Sequence, residues 1–190
     1  MRKLLAVVLA LSLAPAVATA SNLEAGVVQV SGGLDLSYSS TTTEAEGFED
    51  QDDSVFTLQG DALFYAVRNL GIGLFVSFQD SSSEEGAITF DQQTTIIGPI
   101  AAYNLSIAPQ ASLFVGAGIG YAKLEVDTID ASGYAWLVRG GLRYFVVPAV
   151  SLDASIGYQM MSIEVSDTNT QVDSGGLAVG LGLSVYFGNR

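Results

Sequence analysis

The chain has 190 residues, of which 49% are hydrophobic and only 14% are charged, against about a quarter charged in an average soluble domain. Its formal net charge of −13 argues against simple electrostatic attraction to nucleic acid or to anionic headgroups. The sequence contains no histidine and no cysteine, which excludes Ser-His-Asp and Cys-His catalysis, the usual zinc sites and disulfide bonds.

The N-terminus has the three parts of a secretory signal peptide. Arg2 and Lys3 precede an apolar run over residues 4–14, and Ala18-Thr19-Ala20 is a small-x-small cleavage site. We therefore predict that residues 1–20 are removed and that residues 21–190 form the folded domain. After this segment, no stretch reaches the ~18 consecutive apolar residues that a membrane-spanning helix needs.

The mature chain alternates apolar-patterned runs with polar connectors. Period-two alternation predicts eight strands, which in chain order cover residues 23–40, 54–65, 71–79, 87–103, 111–124, 133–145, 150–164 and 174–187. An even count of eight strands is typical of small bacterial membrane barrels. The predicted fold is all-β: a closed, antiparallel, up-and-down transmembrane β-barrel of eight strands.

The two faces of the predicted strands differ in character. In the first strand, Val28, Val30, Leu34 and Leu36 alternate with Gln29, Ser31 and Asp35. In the last strand, the large face consists of Leu177, Val179, Leu181, Leu183, Val185 and Phe187. The opposite faces carry mainly small or polar residues rather than lysine and glutamate, so we expect the large faces to meet lipid and the small faces to fill a narrow interior. The fourth strand contains Pro99 and is apolar on both faces, so the pattern leaves its register undefined.

The connectors alternate between acidic and weakly charged. The acidic ones are residues 41–53, 80–86, 125–132 and 165–173, and the shorter or less charged ones are 66–70, 104–110 and 146–149. Barrels of this kind have long extracellular loops and short periplasmic turns. With a periplasmic N-terminus, every acidic connector is predicted to lie outside the cell.

Aromatic residues cluster near both ends of the strands. The loop-end cluster comprises Tyr38, Phe56, Phe78, Phe90, Tyr134 and Trp136, and the turn-end cluster comprises Phe64, Tyr65, Tyr103, Tyr144, Phe145, Tyr186 and Phe187. Two such clusters match the aromatic girdles of membrane interfaces. The alternative is that strand propensity alone placed them.

Charged residues on the small faces are the candidate site. Arg139 and Arg143 share the inner parity of the sixth strand, and Asp153 shares that of the seventh. In a hairpin centred on Pro148, Arg143 lies directly across from Asp153. We predict an interior ion pair, extended by Arg139, Asp35 and Asp61, because a charge in so narrow a space must be paired. The alternative is a set of separate charges in contact with lumen water.

With these features, the chain resembles the small eight-stranded outer-membrane barrels of the OmpA/OmpX type, in the outer membrane β-barrel domain family. The resemblance covers essentially all of residues 21–190 and includes Ser31-Gly32-Gly33-Leu34 in the first strand and Leu183-Ser184-Val185-Tyr186-Phe187 in the last. It implies a location in the bacterial outer membrane, in contact with lipid and lipopolysaccharide.

Three functions are compatible with the sequence. The first is a monomeric, non-enzymatic barrel without cofactor or metal, whose acidic connectors contact an extracellular ligand in adhesion, surface protection or envelope maintenance. The second is a narrow channel or carrier for small solutes. The third is a soluble periplasmic barrel that binds an apolar ligand, which requires the large face of residues 177–187 to point inward.

Overall fold

The computed structural model describes residues 23–43, 51–85, 88–126, 129–165 and 170–188. They form eight strands: β1 (Val28–Thr43), β2 (Gln51–Val67), β3 (Leu70–Glu85), β4 (Ile88–Ala108), β5 (Ala111–Val126), β6 (Ile129–Val147), β7 (Val150–Val165) and β8 (Thr170–Phe187). None of the described residues belongs to a helix that is long and apolar enough to cross a membrane. The predicted cleavable segment, residues 1–20, lies outside the described residues.

Each strand pairs with its chain neighbours, and the first pairs with the last. Val28 is in register with Phe64 on β2 and with Phe187 on β8, so the sheet closes in the order β1 to β8. Every pairing is antiparallel. The predicted eight-stranded up-and-down barrel is therefore confirmed.

The strands differ from the predicted boundaries at both ends of the barrel. β2 begins at Gln51, β3 continues to Glu85 and β8 begins at Thr170, so much of the predicted acidic connectors 41–53, 80–86, 125–132 and 165–173 is strand. The remaining parts, 44–50, 86–87, 127–128 and 166–169, lie outside the described residues. The boundaries were wrong because the apolar pattern reports where side chains meet lipid, whereas main-chain pairing continues wherever two antiparallel strands stay in register.

At the opposite end, which we call the turn end, the connections are only two residues long. β1 begins at Val28 rather than at residue 23, and the predicted connector 104–110 contracts to a turn at residues 109–110. Similar turns occupy residues 68–69 and 148–149. The strands and these tight turns leave little irregular backbone in the described part of the barrel wall.

The outer surface is apolar, as the strand alternation predicts. The large residues of β8 project outward, namely Leu177, Val179, Leu181, Leu183 and Phe187. Leu181 is 72% exposed. Leu34 and Leu36 on β1 extend this surface across the closing seam. A soluble barrel with an apolar ligand inside requires the opposite orientation of residues 177–187, so this alternative is excluded.

The interior is more apolar than predicted. Large side chains face inward at several buried positions on β2 to β6, among them Leu63, Phe75, Ile96, Ile100 and Leu137. The expectation of a mainly small inner face holds for the glycines and serines of β1, β7 and β8 but is wrong for β2 to β4. A lumen of eight strands has room for side chains, and bulky ones on one side can oppose small ones on the other.

This packing explains why β4 has two apolar faces. Ile96 and Ile100 lie in the core, whereas Ile97 points outward. Its register with β3 is continuous, and its pairing with β5 is interrupted between the pairs Ile97↔Tyr121 and Ile100↔Gly118. The interruption falls at Pro99, which has no N–H to donate.

The aromatic residues divide between the two surfaces of the wall. At the turn end, Phe64, Tyr103, Tyr144 and Phe187 point outward, as a girdle requires, and Phe78, Tyr134 and Trp136 do so nearer the loop end. The girdle prediction is wrong for Tyr65, Phe145 and Tyr186, which are buried inside the barrel. The side chains of Tyr38, Phe56 and Phe90 lie outside the described residues.

Replacing Leu181 with arginine tests the lipid-facing assignment. We expect Leu181→Arg to lower the free energy of unfolding in lipid vesicles by about 2–4 kcal/mol, because a charge near the midplane of the bilayer is strongly disfavoured. Val28→Arg, at the turn-end border of the same outer surface, should cost about 0–1 kcal/mol. Urea titrations followed by tryptophan fluorescence measure both, and equal costs for the two variants would contradict the assignment.

Candidate functional site

The β6–β7 hairpin places one ion pair inside the barrel. Arg143 on β6 is directly across from Asp153 on β7, and Nε of Arg143 lies 3.2 Å from Oδ2 of Asp153. The Arg143 side chain is 1% exposed and that of Asp153 is 11% exposed. The alternation of each strand turns both side chains inward, and the tight turn at residues 148–149 sets their register.

Arg143 has further partners on three other strands. Its Nη1 donates hydrogen bonds to Oε1 of Gln29 at 3.1 Å and to Oδ1 of Asn104. The guanidinium carbon lies 4.3 Å from the ring centroid of Phe114, in the geometry of a cation–π contact. Arg143 therefore connects β1, β4, β5 and β7 through one buried charge.

Asp153 is also hydrogen-bonded beyond its arginine. The hydroxyl of Ser151 donates to Oδ1 at 2.7 Å, and that of Ser184 donates to Oδ2 at 2.6 Å. These bonds supply the polar contacts that a carboxylate loses when it leaves water. The ion pair is thus embedded in a network rather than isolated.

Three members of this network were not among the predicted site residues. The Tyr65 hydroxyl donates to Oε1 of Gln29 at 2.6 Å and accepts a hydrogen bond from Nδ2 of Asn104 at 2.8 Å. All three side chains are buried. The strand parity of Tyr65 matches that of Asp61 and would have placed it inside, but its position near a strand end favoured the girdle interpretation. Asn104 fell in a predicted connector.

A second ion pair lies further toward the loop end. Arg139 is two inward positions from Arg143 on β6, and its Nη2 contacts Oδ1 of Asp61 on β2. Nη1 of Arg139 is 3.5 Å from Oε1 of Gln59. Asp35 on β1 is buried but forms no ion pair with any described residue. The five predicted site residues thus form two ion pairs and one separate carboxylate.

These five residues surround a single cavity. It has a volume of about 40 Å³, and Asp35, Asp61, Arg139, Arg143 and Asp153 all line it. A second cavity of about 20 Å³ lies beside it and shares Asp35, Gln59, Arg139 and Ser155 in its lining. Both are large enough for only a few water-sized groups.

The segment before β1 closes the turn end below this network. Leu23 and Val27 are buried in the apolar cluster that includes Leu63 and Tyr65. The Leu23 N–H donates to Oδ1 of Asn69 at 3.0 Å, and the Asn69 N–H donates back to the Leu23 carbonyl at 2.8 Å. This reciprocal pair fixes the segment to the β2–β3 turn.

The chemistry available to the site is electrostatic. Four of the five charged groups are held by mutual pairing, and the described residues contain no group of three or more aspartate or glutamate side chains arranged to hold a metal ion. Chain-wide, there is no histidine to act as a general base near neutral pH. The arrangement supports packing and ion pairing within the lumen.

A closed antiparallel barrel with an aliphatic outer surface and an interior filled by side chains is the architecture of an integral outer-membrane barrel. The family model for the outer membrane protein beta-barrel domain matches residues 4–190. The chain belongs to this family, and its location is the bacterial outer membrane. Comparison with curated proteins gives no match.

Solved structures of similar fold are also outer-membrane proteins. Neisserial surface protein A is 20% identical, with 83% of this chain and 97% of that chain covered and a TM-score of 0.60. OprG from Pseudomonas aeruginosa is 15% identical, with 88% and 99% covered and a TM-score of 0.59. AlkL in lipid bilayers is 16% identical, with 93% and 96% covered and a TM-score of 0.55. At these identities the similarity concerns the fold.

Arg143→Met tests whether the inner ion pair stabilises the fold. We expect a loss of about 3–5 kcal/mol in the free energy of unfolding, because Asp153 then remains buried without its cation. Adding Asp153→Asn to this variant should recover part of the loss. Arg68→Met, which removes an exposed partner of Glu24 at the turn end, should change stability by about 0–1 kcal/mol. Similar losses for Arg143→Met and Arg68→Met would contradict the expected role.

Proposed function

We propose that this protein is a non-enzymatic outer-membrane barrel with a closed lumen, whose role is performed by its extracellular end. That role is envelope maintenance, surface protection or adhesion. The observation that carries the proposal is the filled interior, in which the cavity between the ion pairs measures about 40 Å³. A steady solute path needs a continuous opening, and eight strands enclose little more than their own side chains.

Both apolar and charged contacts support a closed lumen. The side chains of Tyr65 and Phe145 are buried at the turn end, together with Leu23 and Val27. Above them, Arg143 contacts residues on β1, β4, β5 and β7. Opening this end would break the buried ion pair and its hydrogen bonds together.

The loop end is the surface left for contact with other molecules. The stretches 41–53, 80–86, 125–132 and 165–173 hold most of the twenty acidic residues and no lysine or arginine. In the proposed orientation, the N-terminus lies in the periplasm, and the turn end, which carries Glu24 and Arg68, faces the periplasm. The acidic stretches then face the exterior, where they would repel polyanions and attract cationic ligands.

The outer surface indicates which molecules surround the barrel. Its apolar residues contact the acyl chains of outer-membrane lipid, and the loop end lies among lipopolysaccharide headgroups. Closure leaves no unpaired strand edge between β1 and β8, so main-chain pairing offers no route to association. This supports a monomer. We propose no cofactor, and the net charge of −13 disfavours nucleic acid as a partner.

A narrow channel is the second candidate, and one observation favours it. The two lumen cavities share Arg139 and Asp35 in their linings, so polar groups continue from one to the next. A rearrangement of Arg139 would join them. This candidate and the first differ in whether current passes through the barrel.

Conductance in planar lipid bilayers separates the two candidates. We expect purified protein to give no steady current, because the paired side chains fill the lumen. Arg143→Met, which removes the buried charge, is measured beside the wild type, and folded protein is verified by its heat-dependent mobility on gels. A steady wild-type current that disappears when Arg143 or Asp153 is changed would support the channel and overturn the closed barrel.

Neutralising an acidic stretch tests the role of the loop end. In a strain lacking the native gene, we expect a variant with the six acids of 41–53 changed to their amides to lose most of the protection or adhesion that the wild type restores. The matched control is Glu24→Gln, which removes an acid at the opposite end. Unchanged adhesion, serum survival and detergent resistance after neutralisation of all four stretches would contradict the proposal.

A further inference from the structure

The charges inside the barrel do not balance. In the part of the lumen that the structure describes, three carboxylates line the cavity of about 40 Å³ together with two arginines. Arg143 pairs with Asp153 and Arg139 pairs with Asp61. Asp35 is the third carboxylate, and no described residue forms an ion pair with it.

An unpaired carboxylate is costly in this position. Asp35 is 8% exposed, and the barrel wall around it is surrounded by lipid. A charge removed from water in this way is neutralised by a proton or by a counter-ion. The chain makes room for the group, because Gly180 lies beneath it and a Cβ at that position would overlap Oδ1 of Asp35.

A second acceptor on the same cavity is unsatisfied. Oδ1 of Asp61 contacts Arg139, whereas Oδ2 of Asp61 is buried and has no hydrogen-bond partner among the described residues. The Asp61 side chain is only 1% exposed. A buried carboxylate oxygen without a partner is unusual in native proteins and is open to a further ligand. Nε of Arg139 is likewise buried without a hydrogen-bond partner among the described residues.

We propose that this cavity binds one singly charged metal cation, such as Na⁺, at Asp35, with Asp61 also lining the cavity. Gln59 and Ser155 also line the region and offer further neutral oxygens. The cavity has the volume of a few water-sized groups, which suits a small cation with a partial water shell. One bound positive charge balances the three carboxylates and two guanidinium groups.

The few carboxylate oxygens that line the cavity favour a singly charged ion. Calcium takes six to eight oxygen ligands and favours several carboxylates. The described residues bring no three aspartate or glutamate groups into a metal-binding arrangement. A cation that the lumen binds would stabilise the folded barrel over the unfolded chain, in which these groups are dispersed.

Thermal unfolding in sodium and choline salts tests the proposal. Full-length mature protein in detergent is compared in NaCl and in choline chloride of equal ionic strength, since choline is too large for the cavity. We expect the unfolding midpoint to be higher in sodium and, above the dissociation constant, to rise by about 3–6 °C for each tenfold increase in its concentration. Circular dichroism and gel mobility report the midpoint.

Asp35→Asn is the decisive variant. It leaves two carboxylates and two arginines around the cavity, so their charges balance without a bound cation. It should abolish the difference between sodium and choline. Glu24→Gln, which removes one negative charge outside the lumen, should retain the difference between sodium and choline. Sodium bound at the acidic loop end would affect the unfolding midpoints of both variants alike. Equal wild-type midpoints in the two salts, or a sodium effect that survives in Asp35→Asn, would overturn the proposal.

Infrared spectroscopy of the wild type supplies a measurement that does not depend on a variant's stability. A cation bound to ionised Asp35 predicts no protonated-carboxyl band from this residue at neutral pH in sodium. If such a band is present and disappears in Asp35→Asn, the proton rather than the metal ion neutralises the site, and the proposal is wrong. Neither outcome bears on whether the loop end mediates adhesion or protection.

Discussion

The pairing of β1 with β8 is the constraint on which the rest of the structure depends. Within a bilayer, every main-chain N–H and C=O group needs a partner, and a sheet achieves this only when its two edges meet. The register from Val28↔Phe187 to Thr43↔Val172 satisfies that requirement along the whole length of β1. Closure at eight strands then fixes the diameter, and the diameter limits what the lumen can contain.

A narrow lumen has to be filled by side chains from all eight strands. The bulky residues Leu63, Phe75 and Ile96 on β2 to β4 occupy much of this space, while the small inner residues of β8 leave room opposite them. A buried charge is stabilised by its partners. Arg143 has such partners in Asp153, Gln29 and Asn104, which come from three different strands. The charged layer and closure therefore depend on each other.

Strand alternation predicted the features that depend only on lipid contact. The outward orientation of Leu177 to Phe187 follows from it, because a bilayer selects large apolar side chains at every second position. Hairpin geometry also placed Arg143 across from Asp153, since a tight turn leaves only one register. Both inferences need nothing beyond neighbouring residues in the sequence.

Other features were missed or could not be obtained in this way. Tyr65, Phe145 and Tyr186 suit a membrane interface and a barrel interior equally well by residue type, and only their strand parity distinguishes the two. Asn104 and Gln29 join Arg143 from strands far apart in the chain, and no local pattern encodes their meeting. The outer limits of β2 and β3 depend on main-chain pairing beyond the bilayer, where the apolar pattern ends.

The distribution of acids separates the two parts of the molecule that can carry function. In the described part of the lumen, acids are few and buried, and Asp61 and Asp153 each pair with an arginine whereas Asp35 does not. At the loop end they are numerous and no lysine or arginine accompanies them in the same stretches, so their effect is collective and long-ranged. Packing fixes the first group, and substitutions there act mainly through stability. The proposed recognition of an external partner at the loop end rests on the second group, whose charges act together rather than through individual contacts.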